Sequence, residues 1–260
     1  ALLATHPSRA IAFRSLDSKG GGAEVLTALE RMHCSVCFAR NIHYQDARDP
    51  GLWKKRSLES DVRLFQELVQ VDGTDGGAAG SEKPYRLESW KAGTPMEMPL
   101  AERLVKLYNM LYIKKYSPHN PQFTARFAQH AAEHGILSFL FLRNKQDNRV
   151  DGVIGYFRCE TVMTTPFFGY DTSLPQELGL YRMLSLLVLM EGRRKNLLVN
   201  ASGGVGDFKR KRGAETVPEL TAVYTRHLPW YRQLPFWFLG WLTRAAVLPY
   251  LKAHGGEGGL

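Results

Sequence analysis

Four short stretches of this sequence carry residue types at spacings that suit chemistry on phosphate, carbonyl and amine groups. The first is Gln176-Glu177-Leu178-Gly179-Leu180-Tyr181-Arg182, which precedes a long apolar run of helical period. A helix that starts there offers N–H groups without intrahelical partners and a partial positive charge, and a glycine lets a phosphate come close. Gln176, Gly179 and Leu180 are then candidates for an anion-binding turn, to which Arg182 would add a two-pronged contact; an ordinary loop with Gly at its turn is the competing reading. The second stretch, residues 200–213, reads NASGGVGDFKRKRG. Asn200 and Ser202 end a strand, Ser202 is placed to cap the helix that follows, and Lys209 and Arg212 are placed to meet an anionic substrate. A solvated basic face is the competing reading of Lys209 to Arg212. The glycine run lacks the closing Lys-Ser/Thr of a P-loop, which argues against nucleotide hydrolysis.

The third stretch is Gly169-Tyr170-Asp171-Thr172-Ser173. Asp171 follows a strand with Tyr170 beside it, a carboxylate able to accept a proton; a loop-capping role for Asp171 stays open. The fourth is Lys114-Lys115-Tyr116-Ser117-Pro118-His119-Asn120-Pro121, between two helical runs. Lys115, Tyr116, His119 and Asn120, with Asn200, offer hydrogen bonds to a bound substrate, although Ser117 and Asn120 read equally well as helix caps. Cys34 and Cys37 have C-x-x-C spacing without a second pair, and their odd spacing in a strand sends them to opposite faces. Cys159 falls inside a strand, so no thiol nucleophile is expected. No His/Cys/Asp cluster shows metal-ligand spacing, and neither a metal nor a tightly bound cofactor is expected.

Periodicity supplies the elements that would position these residues. Alternation marks strands at 9–16, 35–44, 85–90, 137–142, 150–158, 161–170, 197–201 and 220–224. Helical spacing marks residues 23–32, 50–68, 99–116, 120–134, 178–194 and 205–212. The expected fold class is α/β. Residues 1–72 form a partial N-terminal lobe and 73–83 a glycine-rich linker; residues 84–226 form the main lobe and 227–260 an aromatic, basic helical segment.

From residue 99 the order is two helices, three antiparallel strands, helix, strand, helix, strand. With the Gln176–Leu180 turn, which is similar to the Q/R-x-x-G-x-G/A pattern, and the Phe208-Lys209…Gly213 segment, the chain resembles the GNAT superfamily, in particular its Fem-like and BioF2-like branch. The resemblance implies a mixed sheet flanked by helices and an acyltransferase activity. An amine acceptor would attack the carbonyl of an acyl-CoA or acyl-carrier-protein donor directly, with a backbone N–H of the central strands polarising that carbonyl. Tyr181 departs from the small residue of the pattern and would crowd a pyrophosphate. That departure leaves room for aminoacyl-tRNA as the donor to a peptide or cell-wall precursor, or for a non-catalytic membrane-surface protein.

The chain has 260 residues, with a formal net charge of +9 and a sequence pI near 9.5. This balance suits polyanionic partners. The three cysteines are too few for a disulfide framework and fit a reducing compartment. No signal peptide is visible, and no apolar run reaches transmembrane length. Residues 227–251 mix Trp230, Trp237 and Trp241 with Arg232 and Arg244. That composition suits an anionic membrane surface, so the expected location is cytoplasmic, peripheral on the inner membrane face. A helical hairpin packed on the main lobe is the alternative.

Overall fold

A computed structural model describes residues 2–71, 83–90 and 92–253. In chain order the elements begin with α1 (Leu2–Thr5), β1 (Ile11–Leu16), α2 (Gly22–Arg31) and β2 (Ser35–Asp46). The chain continues through α3 (Pro50–Trp53), α4 (Arg56–Leu68), β3 (Val69–Gln70), β4 (Tyr85–Trp90) and α5 (Met98–Tyr108). Without a break, α5 runs into a π-helical segment, Asn109–Tyr116. Next come α6 (Ala125–Glu133), β5 (Ser138–Asn144), β6 (Val150–Cys159) and β7 (Val162–Tyr170). A 3₁₀ turn, Gln176–Leu178, leads into α7 (Leu180–Arg194) and β8 (Leu198–Asn200). The remaining elements are α8 (Gly206–Arg210), β9 (Glu215–Tyr224), α9 (Trp230–Leu242), a second π segment (Thr243–Val247) and α10 (Leu248–Ala253).

The chain forms two compact units. Asp46–Val199 is one; Ala1–Gln45 with Asn200–Leu260 is the other. This division differs from the sequence-based one for a clear reason. Strand β9 lies between β1 and β2 and pairs with both, antiparallel, as in Ala12↔Val223 and Ile42↔Val217. The N-terminal strands therefore need the segment after residue 200. Of the expected linker 73–83, only Lys83 falls among the described residues.

The Asp46–Val199 unit holds a mixed sheet in the order β7-β6-β5-β4-β3, antiparallel except for the parallel β3–β4 pair. Its strands alternate between two cores. Leu140, Leu142, Ile154 and Phe168 join Phe65 of α4 and Met183, Leu184 and Leu187 of α7. Phe139, Phe141, Val153 and Phe167 join Leu104 and Leu107 of α5 and Ala128 of α6. Residues one apart on a strand point to opposite faces, so α4 and α7 cover one face and α5 and α6 the other. The other unit gathers Leu16, Leu29, Cys34, Val36, Leu220 and Ala222 around its own sheet.

One close approach sets the position of α5. A Cβ placed on Gly169 of β7 would sit 2.5 Å from the carbonyl carbon of Leu107 and nearer still to the Tyr108 nitrogen. The helix backbone therefore rests directly on the strand, at the point where α turns into π. Gly169→Ala should cost about 1–3 kcal/mol through overpacking. Urea unfolding would read this as a lower midpoint at unchanged slope.

Candidate active site

The turn at Gln176–Leu180 folds as a 3₁₀ turn closed by Gly179, whose φ of 67° is left-handed and suits glycine. Gly179 precedes the first residue of α7 without any side-chain cap. Helix α4 covers it: a Cβ on Gly179 would lie 2.6 Å from Leu64 Cδ2. Arg182 donates from Nε to Asp61 Oδ1 at 2.6 Å and from Nη2 to Ser60 Oγ at 2.9 Å. The sequence reading gave Gly179, Leu180 and Arg182 to a donor phosphate. In the structure Gly179 and Leu180 are buried and the Arg182 guanidinium is held by α4, while Gln176 is exposed. The reason is long-range packing of α4, for which the local motif carries no signal.

Tyrosines gather at the ends of three elements. The π-helical segment is built on i to i+5 hydrogen bonds, a wider turn than the α-helix, and its last such bond runs from Ser117 N–H to Tyr112 O at 3.0 Å. Tyr108 and Tyr112 stack at 4.9 Å, and Tyr112 and Tyr116 lie 6.1 Å apart. Tyr181, on the first turn of α7, packs edge-on to Phe168 at 5.5 Å and lies 6.2 Å from Tyr170 at the end of β7. Tyr181 is also within electrostatic range of Tyr112, Tyr116 and Tyr170, and hydrogen-bonds Ser185. Burial, reinforced by its phenol neighbours, pushes the Tyr112 hydroxyl up to about 12 and moves Tyr181 further in the same direction. Both phenols therefore stay protonated at neutral pH. The sequence reading named Tyr116 and Tyr170 but missed Tyr112 and the inward role of Tyr181. The recurrence of tyrosine every four residues at 108, 112 and 116 was the available signal.

Asp171 is buried and fully engaged. Its Oδ1 accepts from Ser173 N–H at 3.1 Å and Ser173 Oγ–H at 2.5 Å, and its Oδ2 accepts from Arg103 Nη2 at 2.9 Å. Arg103 also reaches buried Asp151 at 3.3 Å, which Arg149 Nε contacts at 2.9 Å. Burial raises the Asp171 carboxyl, but the Ser173 and Arg103 hydrogen bonds outweigh it and hold it below the usual range. The expected role as proton acceptor gives way to that of a strut between α5 and the ends of β6 and β7. Asn120 Nδ2 donates to Tyr112 O at 2.9 Å and His119 N–H to Ser117 Oγ at 3.2 Å, which is the capping alternative for this loop. Lys115 and His119 are exposed.

In the other unit, the second stretch is turned inward. Lys209 is buried, and Nζ donates to the carbonyls of Ala201 at 2.6 Å, Ser202 at 3.2 Å and Gly203 at 2.7 Å. Burial, with Arg40 nearby, pulls its ammonium down to about 8. Arg212 is also buried, its guanidinium 3.5 Å from the centre of the Phe208 ring. The assignment of Lys209 to a soluble anion is therefore corrected, because its three donors close the 201–203 loop. Ser202 does not cap α8 either; Val205 takes that position without a side-chain cap. Asn200 accepts from Ser202 N–H at 2.8 Å and donates to Tyr44 Oη at 3.1 Å, which in turn donates to Asp17. The expectation of no ligand-spaced cluster is corrected too: His130, Glu133 and His134 bring ligand atoms within 4.8 Å of one another at the exposed end of α6. His134 Nδ1 there already contacts His130 O at 3.0 Å.

No protein-family model and no curated protein matches the sequence. Solved structures match its fold. L-PGS from Bacillus licheniformis aligns with a TM-score of 0.57 at 11% identity, over 91% of this chain and 73% of its own. The C-terminal DUF2156 domain named for a lysylphosphatidylglycerol synthetase from Agrobacterium fabrum aligns at 0.56 and 12% identity, over 86% and 70%. FemX aligns at 0.53 and 7% identity, over 82% and 71%. The fold is GNAT-like. Within this GNAT-like frame the junction of β7 and α7 is the place where the sequence reading set the donor. The tyrosines occupy it, and α4 covers the glycine beside it.

Two outcomes check these assignments. Lys209→Met keeps the length of the side chain but strips the carbonyls of 201–203 of a charged donor, and should cost at least about 2 kcal/mol, seen as a lower Tm. Buried His43 is pulled down to about 4 by burial and by Lys209 and Arg210. In the unfolded chain it takes up a proton near its ordinary value of 6.5, and in the fold it does not. Acid therefore favours the unfolded chain between those values, and stability should fall as pH drops from about 6.5 to 4. Urea titrations at stepped pH should show this slope, and His43→Gln should flatten it.

Proposed function

We propose that this chain is an acyltransferase whose donor carbonyl is bound against the Tyr112 and Tyr181 phenols, and whose donor is borne by a carrier rather than by CoA. One observation carries the reading: Tyr112, Tyr170 and Tyr181 pack against the same core beside the start of α7, while Leu64 fills the approach to Gly179 that a pyrophosphate would need. In this mechanism the lone pair of an acceptor amine attacks the donor carbonyl. The carbonyl oxygen takes up negative charge and is held by the phenol hydrogens, a form of oxyanion stabilisation. The bond to the donor's sulfur or oxygen then breaks, the leaving group keeps the electron pair, and the ammonium proton passes to it. Asp171 contributes by fixing Arg103 and the end of β7.

An acylated carrier protein and an aminoacyl-tRNA both fit this description. The net charge of +9 and the likeness in fold to a domain named for a lysylphosphatidylglycerol synthetase support the aminoacyl form. No described helix is long and apolar enough to cross a membrane, and a place on the inner membrane face is part of the proposal.

Turnover should be measured with aminoacyl-tRNA, acylated carrier protein and acyl-CoA, each with a soluble amine acceptor. Transfer from a carrier-borne donor, with acyl-CoA far weaker, is the expected result. Tyr181→Phe and Tyr112→Phe should each lower kcat by about 100-fold, with KM and Tm little changed. Equal turnover from acyl-CoA, or undiminished turnover in both variants, overturns this site. No transfer from any of the three favours a non-catalytic lobe.

A further inference from the structure

Helix α9 has its composition turned inside out. At 100° per residue, Trp230, Tyr231, Leu234, Trp237, Phe238 and Trp241 fall on one arc of about 120°. That arc faces solvent: Trp237 is 74% exposed, Trp230 72% and Trp241 62%. The opposite side carries Gly240, which is buried with the Val36 backbone about 3.5 Å from where its Cβ would be. A surface helix of a water-soluble domain ordinarily buries its rings and exposes its small and polar residues. Here the small residue makes the packing contact and the rings are left outside. The polypeptide continues helically through the second π segment into α10, so the stripe is rigidly presented.

We infer that this stripe seats α9 in the headgroup region of an anionic bilayer, parallel to the membrane plane. Two observations select lipid over a protein partner. The stripe is rich in tryptophan and tyrosine, whose amphipathic rings favour the membrane–water interface. Cations also stand at its two ends: Arg226 is exposed before its start and Lys252 at its far end, with Arg244 exposed there and paired to Glu30 at 3.0 Å, in a chain of net charge +9. Such charges add to apolar burial only where the surface is negative. The helix lies on the bilayer and does not cross it. This inference stands on the surface of α9 and does not depend on the transfer chemistry proposed above.

Flotation with phosphatidylcholine vesicles, with and without 30 mol% phosphatidylglycerol, tests it. The intact chain should bind the anionic vesicles at low salt, with a blue shift of tryptophan emission, since Trp230, Trp237 and Trp241 are among its five tryptophans. Binding should weaken as salt rises, because screening removes the charge contribution. The pair Trp237→Glu and Trp241→Glu should bind at least about tenfold more weakly at unchanged Tm, because both positions are exposed. Turnover of a soluble acceptor should be unaffected by the pair, so loss of vesicle binding and loss of transfer are read separately. Absence of association with anionic vesicles overturns the inference, as does undiminished binding by the double variant. A dimer in sedimentation velocity that the double variant abolishes, without vesicle binding, would assign the stripe to a second copy of the chain.

Discussion

The seat of α5 on β7 is the contact on which the candidate site depends. With only hydrogen at position 169, the helix backbone meets the strand directly, and the helix cannot slide without separating from the sheet. At that level α5 widens into its π segment. A π segment costs hydrogen-bond geometry and rarely persists unless its surroundings hold it. Here the holding groups are identifiable. The Tyr108 hydroxyl donates to Pro121 O at 2.8 Å, and the Asn120 side chain takes the Tyr112 carbonyl. Arg103, six residues before the widening, ties α5 to Asp151 and Asp171 at the strand ends. The tyrosine array is the product of these restraints together.

The same economy explains where the positive charge goes. Arg182 and Lys209 look, in sequence, like groups waiting for an anion, and Arg103 carries the same charge. Each instead has an internal partner: paired aspartates for Arg103, Asp61 for Arg182 and three carbonyls for Lys209. A buried cation without such partners would lose its hydration uncompensated, so these contacts are conditions of burial. The exposed cations near the ends of α9, Arg226 and Lys252, keep their field in solvent, whereas that of Lys209 is spent on the 201–203 carbonyls.

Most of the fold was legible because strands and helices announce themselves by local period. The strands at 85–90 and 150–158 and the long apolar helix before Arg194 follow from alternation and 3.6-residue spacing alone. The π segment was not legible, since tyrosines four apart fit an α-helix equally well. The candidate site was legible in place but not in content. Gln176–Leu180 does open a helix beside the end of β7, as the pattern demanded. What covers it comes from Leu64 and Asp61, more than a hundred residues earlier, and no local pattern encodes that contact. Lys209 failed for a related reason: a run of basic residues on a short helix looks solvated until the carbonyls of 201–203 curl over one of them. The division of the chain into units escaped for topological reasons, because β9 completes a sheet begun by β1 and β2.

The phenols also constrain the chemistry that this site can carry. A phenol pushed upward by burial is a poor base and a durable donor, so it stabilises charge that develops on an oxygen without taking the proton of a nucleophile. Asp171 is not available as that base, since Ser173 and Arg103 hold it below its usual range. A site of this kind favours reactions in which the nucleophile arrives already deprotonated, or in which its proton leaves with the departing group. Attack of a neutral amine on an ester or thioester meets that condition. Hydrolysis does not, because water needs a base to become an adequate nucleophile. Under the proposed function, the arrangement of Tyr112, Tyr181 and Asp171 would favour transfer to a neutral amine over loss of the acyl group to solvent.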